Sequence, residues 1–133
     1  MSNLNKLISK LEQFATLNSK LEGDHLTIFP ETNSGFSVWI TGADGIYTVG
    51  YDGWHEEFDD EAEAFSAVLF GLTSECRLKV IKRGETECSW QVESLVDSAW
   101  IEESLTGMLF IPFWRRKVIE YRQNNQIDHT KLV

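Results

Sequence analysis

At 133 residues the chain has the length of one domain, and its core can be large enough to need neither a metal nor a disulfide staple. Hydrophobic residues make up 42% and charged residues 25%, and sixteen aromatics, five of them Trp, exclude a disordered chain. The net charge of −9 repels phosphate backbones and anionic lipid, so neither nucleic acid nor a membrane is expected as a partner.

Residues 3–22 read as an amphipathic helix: Leu4, Leu7, Ile8, Leu11, Phe14, Ala15 and Leu21 follow the 3-4 spacing. Ser2 or Asn3 suits its cap and Gly23 its end. Strand signals follow. His25–Phe29 is short and stops at Pro30, and residues 31–35 have turn chemistry. Residues 36–41 alternate, with Phe36, Val38 and Ile40 on one face and Trp39 on the other. Asp44-Gly45 and Asp52-Gly53 are hairpin turns by their preference for positive φ, and Tyr47, Val49 and Tyr51 share a face between them. Residues 36–58 therefore form an antiparallel meander ending in the strand Trp54–Phe58, in which Trp54, Glu56 and Phe58 face one way and His55 and Glu57 the other.

Asp60 stands where a helix cap belongs, with Glu63 three residues on. The helix spans 61–72 and buries Ala62, Phe65, Val68, Leu69 and Leu72. Strands resume at 76–83, turn at Gly84-Glu85 and return at 87–95, with a further strand near 98–103 and a turn at Thr106-Gly107. Residues 108–113 are the most apolar run, in which Pro112 argues for an edge strand or a bulge, and 113–124 fit a strand better than a helix that would align Trp114, Val118 and Tyr121 or Arg122. The architecture expected is α+β in one domain, 1–124: an N-terminal helix, an antiparallel meander of about four strands, a central helix, then about four further antiparallel strands, with the helices packed on a curved sheet. Residues 125–133 read as a loose tail.

In the 76–95 hairpin, Cys88 falls opposite about Ile81 or Lys82, and Cys76 opposite about Glu93 or Ser94. The two are several residues out of register, which predicts free thiols. Together with the absence of a leader-like or spanning segment, this predicts a cytoplasmic protein.

The stretch "GYDGWHEEFDDEAEAF" (50–65) packs one His and seven carboxylates into sixteen residues. A metal at His55 and Asp59 fails on geometry, because extended backbone sets them ~13 Å apart. The metalloprotease pattern needs His at position 59, and an EF-hand loop needs Gly at its sixth position; neither is present. His55 with Glu57 could share acid/base work on one strand face, but the same pair occurs as surface decoration. Asp59, Asp60, Glu61 and Glu63 all lie at a helix N-terminus, where the macrodipole favours negative charge. The stretch thus reads as the charged seam between a strand and a helix. No catalytic residue, metal or cofactor is assigned, and no phosphate loop or nucleophile motif is present.

Charge is unevenly spread. Twelve acids and no Lys or Arg lie between Lys20 and Arg77, whereas nine bases and eight acids follow from Arg77 onward. "FWRRK" (113–117) reads as an amphipathic strand whose cations answer the acidic segment 52–63. In size, charge and element order the chain is similar to secretion chaperones and toxin-neutralising immunity proteins, with no shared motif. The function expected is a non-catalytic binding protein. It would meet a basic protein partner through the acidic 52–63 segment, with Tyr51 or Trp54 exposed beside His55, Glu57 and Asp59, and Trp39 as a further aromatic contact. A homodimer is compatible with this reading. The alternative is a cup that holds a small apolar or aromatic molecule, with weak chemistry at His55.

Overall fold

The computed structural model describes residues 4–14, 17–108 and 111–128. It is an α+β fold: helix α1 (Leu4–Glu12), strands β1 (Ser19–Glu22), β2 (His25–Ile28), β3 (Val38–Ala43), β4 (Ile46–Tyr51) and β5 (Trp54–Phe58), helix α2 (Glu61–Gly71), then β6 (Cys76–Arg83), β7 (Thr86–Val96), β8 (Ala99–Gly107) and β9 (Lys117–Gln123). The strands form two antiparallel sheets, β1-β2-β3-β4-β5 and β8-β7-β6-β9. The core is one cluster between them. Leu4, Leu7 and Leu11 of α1 and Phe65, Val68 and Leu69 of α2 cover Val38, Ile40, Tyr47, Val49 and Tyr51, and Leu78, Val80 and Val92 join from the second sheet.

The first helix stops ten residues short of the expected end. Thr, Asn and Ser near positions 16–19 favour local side-chain bonds over helix, and Ser19–Glu22 instead pairs with β2. Gly23, with φ +60, serves the β1–β2 turn and not a helix end. The suggested caps Ser2 and Asn3, and Ala15 of the helical stripe, lie outside the described residues. The second helix begins as expected: the Asp60 carboxylate accepts from the Ala62 N–H at 2.8 Å. Its buried stripe uses Ala64 where Ala62 was expected.

The β6–β7 register matches the sequence pattern. Cys76 pairs with Ser94, and Cys88 is the extra residue between the Ile81–Ser89 and Lys82–Glu87 pairs, so both thiols are buried and free. Residues 111–116 are not strand, unlike the expected run 108–113; Leu109 and Phe110 lie outside the described residues. Residues 117–123 are strand, as the alternation suggested.

The C-terminal segment differs most. Residues 124–127 are not loose: Asn124, Gln126 and Ile127 are buried. The Asn124 amide donates to the Phe36 and Gly71 carbonyls and accepts from the Phe36 N–H, while the Gln126 and Ile127 N–H groups donate to Leu72 O. This segment ties the start of β3 to the end of α2. His129 and the residues after it lie outside the described residues. No helix among the described residues is long and apolar enough to cross a membrane.

Candidate binding cleft

Where the two sheets meet, β5 is the free edge of the first sheet and lies against β7 and β8 of the second. The edge does not close completely. It leaves an open cleft of about 430 Å³. Tyr51, Trp54 and Phe58 form one wall, Ala67 and Phe70 of α2 the end, and Val92, Ser94 and Ser104 the opposite wall, with Glu56 and Glu103 supplying the charge. The alternation of β5 produces this arrangement: Trp54, Glu56 and Phe58 share one face, as the sequence pattern required.

The walls are held by specific bonds. Tyr51 and Trp54 stack at 4.5 Å, the Tyr51 hydroxyl donates to Ala67 O at 2.5 Å, and the Trp54 indole N–H donates to Ser104 Oγ at 3.0 Å. Burial, then the nearby Cys76 and Glu56, push the Tyr51 phenol well above its ordinary range. Glu103 arrives through a β-bulge. Val92 pairs with Ser104 and Glu93 with Glu102, which leaves Glu103 unpaired and aimed at the cleft, where it accepts from the Ser94 hydroxyl. On the other side of Phe58 lies a second open hollow of about 380 Å³, lined by Ile46, Glu57, Asp59 and Glu63. Among the described residues, neither hollow is lined by a Lys or Arg.

The residues expected to form the site separate into three groups. Tyr51 and Trp54, expected as exposed contacts, are 1% and 3% exposed. The packing of α2 and β8 against β5 covers them, so they shape the cleft without projecting from it. Glu57 and Asp59 line the second hollow. His55 and Trp39 lie away from both. His55 is exposed opposite Gly50, with its backbone at 3.4 Å from the Thr106 hydroxyl, and no hydrogen bond or ion pair joins it to Glu57. Trp39 is half-buried on the outer face of the first sheet: it stacks on His25 at 5.8 Å, donates to Asp52 O at 3.1 Å and covers Gly50, where a Cβ would fall 1.9 Å from the indole. Among the described residues no group of three or more His, Cys, Asp or Glu is arranged to hold a metal ion.

Phe58, Phe70, Ser94, Glu103 and Ser104 were missed as site residues. Phe58 was readable from strand parity, but Glu103 had no local signal, because only the bulge against β7 turns it inward.

The "FWRRK" cations do not answer the acidic segment. Residues 113–116 form a turn, and the base that meets Asp52 is Arg122 of β9, at 2.6 Å. Arg122 also meets Glu87 and Glu120, at 3.1 and 2.7 Å, and Trp90 donates to the same Glu87 carboxylate. This cluster fastens the β4–β5 turn to the second sheet. Gly53 in that turn lies so close to Trp90 that a Cβ would come within 2.2 Å of the ring. Trp100 is occupied too: it and Tyr121 sandwich the Arg77 guanidinium, at 4.3 and 4.2 Å.

The chain matches no protein-family model, no curated protein and no solved structure.

Proposed function

We propose that this chain is a non-catalytic protein-binding module, chaperone-like or inhibitor-like, which captures a basic segment of a partner protein along β5. The observation that carries the reading is the pairing of the half-buried Phe58 and Phe70 with Glu56 and Glu103, with no lining Lys or Arg among the described residues. Such a cleft favours the aliphatic stem and charged head of Lys or Arg, or an aromatic residue next to one. The second hollow beyond Phe58 extends the same acidic strip and gives a second basic side chain a place. The cytoplasm suits the reading, since the buried thiols of Cys76 and Cys88 would stay reduced there.

The test is fluorescence anisotropy with labelled peptides that carry Arg or Lys beside one aromatic residue. Binding should weaken as salt rises and disappear in the Glu56→Lys, Glu103→Lys double variant. Equal binding of neutral or acidic peptides would overturn the proposal.

The cleft volume also supports the cup reading, since pockets for small ligands begin at ~300 Å³. His55 does not belong to that cleft, so the cup would be a binder of small organic cations with no His55 chemistry. An NMR titration following the Trp54 indole N–H separates the two: small aromatic amines binding as tightly as peptides would favour the cup.

A further inference from the structure

Of the five Trp, four are buried or half-buried, and Trp114 is exposed. Trp114 is 73% exposed and Phe113 beside it 76%, their rings edge to face at 5.5 Å. Isolated apolar side chains on a surface need no explanation. Two of the largest, adjacent at a loop tip and followed by Arg115, Arg116 and Lys117, form a different object. Residues 111–116 of the loop are held by backbone hydrogen bonds. The Arg115 N–H donates to Pro112 O at 3.0 Å, and the Gly84 N–H donates to Arg116 O at 2.8 Å, which clamps the loop to the β6–β7 turn. None of Arg115, Arg116 and Lys117 forms an ion pair among the described residues. A preshaped loop with two aromatics and three free cations loses little freedom on docking.

We propose that this loop docks in the β5 cleft of a second copy of the chain. The inference rests on the reading of that cleft as a receptor for a basic segment. Charge complementarity names the occupant: the cleft presents the half-buried Phe58 and Phe70 with Glu56 and Glu103, and the loop presents aromatics with bases. The clamp at Gly84 holds the loop at its own end of the second sheet, so the cleft it fills belongs to another copy. Whole-chain acidity of −9 argues against anionic lipid as the occupant, whereas a protein cleft supplies shape and opposite charge together. If each loop enters the other's cleft, the contact closes as a two-fold dimer; if not, it propagates head to tail. Each contact is one loop in one cleft and is opposed by the net charge of −9 on each copy, so association is weak and rises with concentration.

The experiment is sedimentation velocity on the full chain over a concentration series at low and high salt, with circular dichroism to confirm folding. Wild type should self-associate reversibly. Trp114→Ala should weaken this by about tenfold or more, as expected for a central aromatic contact. Arg115→Glu with Arg116→Glu, and separately Glu56→Lys with Glu103→Lys, should each give monomers. Mixing these two variants should restore a complex, because one retains an intact cleft and the other an intact loop. Wild type that stays monomeric at every concentration, or self-association that survives both charge reversals, overturns the proposal. So does Trp114-dependent binding to phosphatidylserine vesicles by a chain that remains monomeric. A synthetic IPFWRRK peptide separates this proposal from the one beneath it. If that peptide fails while unrelated basic aromatic peptides bind the cleft, only the self-docking falls; if no basic peptide binds, both fall.

Discussion

Asp52 and Glu56 lie four residues apart in the same acidic run, yet they belong to two different kinds of site. Asp52 meets Arg122 across the sheets at 2.6 Å, together with Glu87 and Glu120, and its other oxygen accepts from the Ser37 N–H. Glu56 lines an open cleft and forms no ion pair among the described residues. Carboxylates that converge on one largely buried guanidinium hold the two sheets in place. Those at the cleft have no ion-pair partner among the described residues. The difference teaches that a dense acidic stretch need not have one purpose. The sorting follows from which carboxylates the fold brings within reach of Arg122.

The largest effect should come from the joint. Arg122→Ala removes a side chain that is only 15% exposed and strands Asp52 and Glu87 without their cation. A loss of roughly 2–3 kcal/mol in urea unfolding is expected, below the full figure for a buried pair because the carboxylates are partly solvated. Gly53→Ala should destabilise by about 1–3 kcal/mol, since its methyl must displace the Trp90 ring. The same change at Gly45, where a Cβ would meet no atom within 4 Å, carries only the strain of φ +79. If the two substitutions cost the same, Trp90 does not press on the turn.

Asp60→Ala should cost about 1 kcal/mol through the lost cap of α2. Acid titration probes the joint without mutation. Burial raises the Glu87 carboxyl, but hydrogen bonds from Arg122 and Trp90 and the Arg122 charge outweigh it, so the group sits below its ordinary 4.5. The unfolded chain then binds the proton more readily. Its contribution is present above pH 4.5 and is lost as the pH falls further. Glu87→Gln should flatten the stability–pH curve in that range; an unchanged curve would remove Glu87 from the joint. The smallest effect belongs to the cleft: Glu56→Gln and Glu103→Gln should each shift stability by no more than ~0.5 kcal/mol. A marked loss would make those carboxylates structural and the comparison false.

Much of the fold was legible because its signals are local. Asp60 as cap, the Asp44-Gly45 turn, the parity of Trp54, Glu56 and Phe58, and the β6–β7 register each depend on residues close in sequence. The expected helix over 3–22 failed because Leu21 continued an apolar spacing that the intervening Thr, Asn and Ser had already interrupted. The candidate site was half legible: Tyr51, Trp54, Glu57 and Asp59 do line hollows, but whether they project or recede could not be read from alternation.

The sequence by itself determined the central helix, strands β2 to β9, their α+β order and the free thiols, since these follow from side-chain period, turn chemistry and short-range pairing. Only the tertiary structure decided that the strands split into two sheets, that Arg122 gathers carboxylates from three strands and turns, and that Glu103 swings into the cleft. It also decided that residues 124–127 are packed and that Trp114 is left bare. Apart from the β7–β8 bulge at Glu103, those outcomes depend on segments far apart in sequence, such as Asn124 with Phe36, 88 residues away, and no pattern within one segment encodes them.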